Sequence, residues 1–157
     1  MCYLPSAQTK KSAHKEEKNP MVQSSIGHIQ FNVQPENLAY YRDLLSFLGW
    51  QTWFDTPEMV GMGDPAGAAS LWFSGKCNEV KNDYDGAGFN HLGLSVPNQA
   101  DVDAAVDYLR NNGVTLLFET PRHRPEFAGD EAKTYYQVMF ETPDRVLVEV
   151  VYMGPKE

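Results

Sequence analysis

Cysteine is scarce: the 157-residue chain has two, Cys2 and Cys77. Neither CxxC nor Cys/His zinc-finger spacing occurs, so a disulfide framework and a structural zinc module are excluded, and both thiols read as reduced. No apolar run approaches the ~18 residues of a membrane-spanning helix, and the polar start of the chain has no apolar core of a secretory signal. A cytoplasmic location and no membrane partner are the expectation. Positive charge is also short, with 13 Lys and Arg against 21 Asp and Glu. Residues 1–23 carry four Lys and two Glu, so the remainder holds a net charge of −10. A domain that acidic repels a phosphate backbone, and nucleic acid is not an expected partner. P-loops, nucleophile elbows and Gly-rich dinucleotide motifs are missing as well.

What remains is ordinary globular composition, 42% hydrophobic and 22% charged, sized for one domain. Residues 1–23, with Pro5, Pro20 and a Lys/Glu cluster, read as a disordered extension that includes His14 and a second Met at 21. The domain is expected over residues 24–153, as modules 24–75 and 88–153 joined by a Gly/Asn/Asp-rich linker, 76–87. In the first module, residues 25–33 alternate apolar and polar, as a strand with one buried face does. Pro35 opens a helix with Leu38, Tyr41, Leu45 and Leu48 at helical spacing, and Gly49 closes it. Three short strands follow, near residues 50–55, 58–62 and 68–73. The order then repeats: a strand over 89–96, a helix capped by Asn98 and ended by Gly113, a strand over 115–119, a charged loop from Pro121 to Lys133, and a closing hairpin over 134–141 and 145–152.

The repeat is visible in residues. His28-Ile29-Gln30-Phe31-Asn32-Val33 matches His91-Leu92-Gly93-Leu94-Ser95-Val96 at an offset of 63. Two βαβββ units in an α+β domain are the predicted architecture, paired around a central site. His28 and His91 take equivalent places on the polar faces of the two first strands. Glu149 is the one charged group in the apolar last strand, and a buried lone carboxylate calls for a cation. Two imidazoles and a carboxylate hold a divalent metal on one side and leave positions open for substrate.

These features resemble the vicinal oxygen chelate superfamily, also called the glyoxalase / bleomycin resistance / dioxygenase superfamily. The most specific stretch is the closing hairpin, Tyr135-Tyr136-Gln137-Val138-Met139-Phe140-Glu141-Thr142-Pro143-Asp144-Arg145-Val146-Leu147-Val148-Glu149. The resemblance implies paired βαβββ modules forming a curved mixed sheet, metal ligands at His28, His91 and Glu149, one divalent ion (Fe, Mn, Ni or Zn), and a homodimer. It implies an enzyme acting on a small oxygen-rich substrate by Lewis-acid stabilisation of an enolate or oxyanion, as a lyase, isomerase, transferase or dioxygenase. The alternative is a metal-free sequestering protein of the bleomycin-resistance type. Within the family the chain looks most like uncharacterised bacterial glyoxalase-like proteins. It departs from glyoxalase I, whose fourth ligand is a Glu, because Ser70-Leu71-Trp72-Phe73 offers no carboxylate. It departs from the extradiol dioxygenases in having Met139 where they have a Tyr. Arg145 replaces the usual turn Gly, which predicts a turn without positive φ. Arg122 and Arg124 are expected either to lie in a solvated loop or to bind an anionic group of the substrate from a lid, with Tyr135 and Trp72 as core residues or further pocket walls.

Overall fold

The structure, a computed structural model, describes residues 23–156. The expected extension therefore falls, apart from Gln23, outside the described residues. The first module is β1 (His28–Asn32), a 3-10 turn (Pro35–Asn37), α1 (Leu38–Phe47), β2 (Gln51–Thr56), β3 (Met59–Gly63) and β4 (Ser70–Ser74). The second is β5 (His91–Ser95), α2 (Gln99–Asn111), β6 (Leu116–His123), a 3-10 turn (Pro125–Phe127), β7 (Lys133–Glu141) and β8 (Leu147–Pro155). Each module makes one four-stranded mixed sheet, ordered β1-β4-β3-β2 and β5-β8-β7-β6. The first strand of each runs parallel to the last, and the other pairs are antiparallel. The sequence repeat is thus a repeat of topology.

The helices form where the spacing places them. Leu38, Tyr41, Leu44 and Leu45 bury one face of α1; Val102, Ala105, Val106 and Leu109 bury one face of α2. Asn98 and Asp101 close a reciprocal capping box at the start of α2, satisfying amides that the helix cannot pair itself. Gly49 and Gly113 end the two helices at φ of 84° and 71°, which only glycine adopts without a steric cost. The apolar strand faces, including Val33, Phe73, Leu94, Val138, Phe140, Val148 and Val150, pack with both helices into one core. The opposite faces carry His28, Gln30, His91, Ser95, Gln137 and Glu149 alongside further apolar side chains.

Two pins join the modules. The Phe47 and Tyr108 rings stack between the helices at 4.1 Å. The Tyr41 hydroxyl reaches the β7–β8 turn, 3.0 Å from Thr142 Oγ1 and 2.8 Å from Asp144 Oδ2. Asp144 also accepts the Gln34 amide at 2.8 Å. Burial of the Tyr41 phenol raises its pKa well above the ordinary range, so it stays a hydrogen-bond donor.

Two expectations need correction. The segment after Glu119 is not loop throughout: β6 resumes and runs to His123. A bulge separates the paired residues Leu117 and Arg122, and Pro121 sits inside it, where its missing N–H costs no ladder bond. The connection to β7 shortens accordingly. Arg145 does adopt a left-handed conformation, φ 60°. Its guanidinium lies over the Tyr84 ring at 5.3 Å and 3.6 Å from Glu141. These contacts hold a conformation that L-residues otherwise avoid.

Candidate functional site

Alternation places His91, Gly93 and Ser95 of β5 on the face away from the core. In β8 the same face carries Leu147, Glu149 and Val151, and in β7 Tyr135, Gln137 and Met139. The centre of this face is Glu149, whose side chain is only 5% exposed. Its two oxygens have different neighbours. Oε1 accepts a hydrogen bond from the Tyr135 hydroxyl at 2.8 Å, and Oε2 lies 3.3 Å from His91 Nε2. Burial, and next the bond to Glu149, push the Tyr135 phenol up to about 12. The phenol therefore keeps its proton and holds the carboxylate in place.

The neighbouring Asn90 decides what His91 presents. Asn90 Nδ2 donates to the Tyr84 carbonyl at 2.8 Å, which turns Asn90 Oδ1 toward His91 Nδ1 at 2.7 Å. An amide oxygen only accepts, so Nδ1 carries the hydrogen. In a neutral imidazole Nε2 is then a bare lone pair, and it faces a carboxylate oxygen. Two lone pairs at 3.3 Å repel unless a positive charge lies between them, either a proton or a metal ion. Bonds of about 2.0–2.2 Å set at right angles place adjacent donors of a divalent metal roughly 3 Å apart. The pair thus fits two neighbouring coordination positions. Asn90 was not singled out in the sequence, where it falls inside the predicted strand 89–96; its place directly before His91 was the available signal.

His28 stands elsewhere. It is exposed at the start of β1, in the first sheet. Among the described residues no group of three or more His, Cys, Asp and Glu side chains is placed to hold a metal ion. The structure therefore brings His91 and Glu149 together and leaves His28 apart from them. Trp72 is on His28's sheet and face, since His28 pairs with Ser70 and Gln30 with Trp72. Its indole N–H donates to Ser70 Oγ at 3.0 Å, and its ring covers Gly61 so closely that a Cβ there would come within 2.6 Å. A hollow of about 1060 Å³ runs along the same strand, between Phe31, Asn32, Cys77, Phe89 and Asp144.

The two arginines lie near the Glu149 face. Arg122 is paired across the ladder with Gln137. Arg124 donates its backbone N–H to the Tyr135 carbonyl at 2.7 Å. The Arg124 guanidinium is engaged by Glu126 and lies over the Phe127 ring at 4.7 Å, and that ring meets Tyr135 edge-on at 5.5 Å. The shortened connection thus packs against the residue that holds Glu149.

Comparison with known proteins adds a family and a fold. The family model described as Glyoxalase/Bleomycin resistance protein/Dioxygenase superfamily matches residues 25–150. A glyoxalase-like protein of Bacillus halodurans shares 25% identity, covering 83% of this chain and 96% of that one, with a TM-score of 0.68. A glyoxalase/bleomycin resistance protein of Albidiferax ferrireducens T118 shares 20% over 82% and 99% of the two chains, TM-score 0.64. A glyoxalase/dioxygenase of Nostoc punctiforme shares 16% over 87% and 98%, TM-score 0.62. No functionally curated protein matches.

Proposed function

The chain belongs to the Glyoxalase/Bleomycin resistance protein/Dioxygenase superfamily, and from that premise we propose that it is a divalent-metal-dependent enzyme acting on a small oxygen-rich substrate. The observation that carries this reading is the His91 Nε2 lone pair held against Glu149 Oε2 at 3.3 Å. The third ligand in this reading is His28 of a second copy of the chain. β1 pairs only with β4 and β5 only with β8 among the described residues, so each sheet has a free edge beside its histidine. Free edges and an open hollow along β1 are surfaces of the kind a partner strand would cover. A homodimer then gives two equivalent sites, each built from the first sheet of one copy and the second sheet of the other.

In such a site His91, Glu149 and His28 of the second copy hold the ion. The bound metal supplies Lewis acidity, polarising a substrate oxygen and stabilising enolate or oxyanion charge. Tyr135 keeps Glu149 to a single free oxygen, and Asn90 keeps the lone pair of His91 at Nε2. Neighbours of this kind fix ligand orientation and raise metal affinity. Trp72 would border the substrate from the partner's sheet.

The test is metal content. His28→Ala, His91→Ala and Glu149→Ala are each expected to weaken binding by about tenfold or more, one ligand being lost each time. Unchanged affinity in any one removes that residue from the site. Wild-type protein that retains no metal and takes none up on titration would favour sequestration of a ligand instead.

A further inference from the structure

Gln137 is 2% exposed, and its side-chain nitrogen has no hydrogen-bond partner. A buried amide left without a partner is costly, and folded proteins rarely keep one. Arg122 shows the same feature: its Nε is buried and unpartnered, while Nη1 reaches only the exposed Glu119 at 3.5 Å. The two residues face each other across the β6–β7 ladder. Opposed residues of an antiparallel pair point to the same side, with Cβ atoms about 4.5–5.5 Å apart. That side is the one carrying Glu149, because Gln137 pairs with Val151 and Met139 with Glu149.

The bulge in β6 creates this pairing. Leu117 pairs with Met139 and Arg122 with Gln137, so four residues of β6 oppose Val138 alone. The three extra residues reverse the alternation, and Arg122, five positions after Leu117, shares its face. Phe118 and Glu119 accept left-handed φ values of 55° and 56° to make the turn, a conformation unfavourable for L-residues. Thr120 clasps it: Oγ1 donates to the Leu117 carbonyl at 2.8 Å and accepts the Met139 amide at 3.0 Å. Bulges that re-aim a side chain are a recurrent feature of binding sites.

We propose that Arg122 and Gln137 together bind a carboxylate group of the substrate beside Glu149. Two unpaired N–H donors, one of them cationic, suit the two oxygens of a planar monoanion. A phosphate dianion fits less well next to the carboxylates of Glu149 and Glu119. Arg124 takes no part, its guanidinium being held by Glu126 and Phe127. The assignment rests on reading the Glu149 face as the reaction site and specifies the substrate class, but carboxylate binding itself needs no metal.

The test is an NMR titration of the 15N-labelled full chain, stripped of metal with EDTA, using benzoate and its uncharged counterpart benzamide. The Gln137 side-chain amide signals, assigned by their loss in Gln137→Leu, are expected to shift and saturate with benzoate and stay still with benzamide. Arg122→Gln should weaken benzoate by about tenfold or more, one charge-assisted hydrogen bond being lost. Arg124→Gln should change it less than about twofold. Gln137→Leu should abolish binding and raise the melting temperature; a packing role for Gln137 predicts a fall. Static Gln137 signals, or wild-type affinity in Arg122→Gln, overturn the proposal. Metal binding that persists while benzoate fails leaves the metal reading standing and removes this one; the opposite outcome removes only the metal.

Discussion

Asn90 and Tyr135 act on their neighbours through single hydrogen bonds. Asn90→Ala releases the Nδ1 hydrogen of His91 and allows the other tautomer, which has no lone pair at Nε2. Metal affinity is expected to fall about 10-fold to 100-fold with the fold intact; equal affinity by calorimetry would show that the tautomer is not set by Asn90. Tyr135 titrates near 12 in the folded chain, raised chiefly by burial and then by Glu149. An unfolded tyrosine titrates near 10. Folding thus favours the protonated phenol, and its contribution is full below about pH 10 and fades as pH rises toward 12. The stability difference between wild type and Tyr135→Phe should shrink over that window. A difference constant from pH 9 to 12, measured by denaturant unfolding, would contradict the raised phenol pKa. His91 and Glu149 were legible in the sequence because the repeat and the alternation of β8 mark them. Asn90 and Gln137 were not, because a polar residue in a predicted strand shows its partners, or their absence, only in three dimensions.

Regular elements follow the sequence pattern, and the irregular one does not. The α1 and α2 stripes, the Asn98 cap, the two terminal glycines and the strands all lie within a few residues of where period and punctuation place them. The β6 bulge was invisible because Pro121 reads as a strand terminator, whereas Thr120 replaces the ladder bonds that the bulge removes. Thr120→Ala removes both bonds at a site only 9% exposed. It is expected to destabilise the chain by about 1–3 kcal/mol and to weaken benzoate binding by releasing Arg122. Thermal and chemical unfolding check the first effect; a loss below about 0.5 kcal/mol, within the range of ordinary surface substitutions, would mean that the bulge holds without its clasp.

At the scale of the molecule, the sequence repeat led to two βαβββ modules and to His28 meeting His91 at a central site between them, whereas the structure leaves His28 apart from His91 and Glu149. Strand periodicity places residues on faces and carries no information on how two sheets are set together. The pins between modules decide that: Phe47 on Tyr108, and Tyr41 on Thr142 and Asp144. Tyr41→Phe deletes the second pin and should cost about 0.5–1.5 kcal/mol, the net worth of the lost hydrogen bond, since Thr142 and Asp144 keep the Val146 and Gln34 amides as partners. Light scattering is expected to give twice the 17.7 kDa chain mass, and a monomer at working concentration would remove the shared site. The most direct measurement uses mixed dimers of His28→Ala and Glu149→Ala chains, isolated through two different affinity tags and assayed for bound metal. In a shared site one of the two centres keeps His91, Glu149 and the other copy's His28 intact, so the mixed dimer should hold about half the wild-type metal while each variant alone holds almost none. A mixed dimer that binds no more metal than either variant by itself would contradict the account.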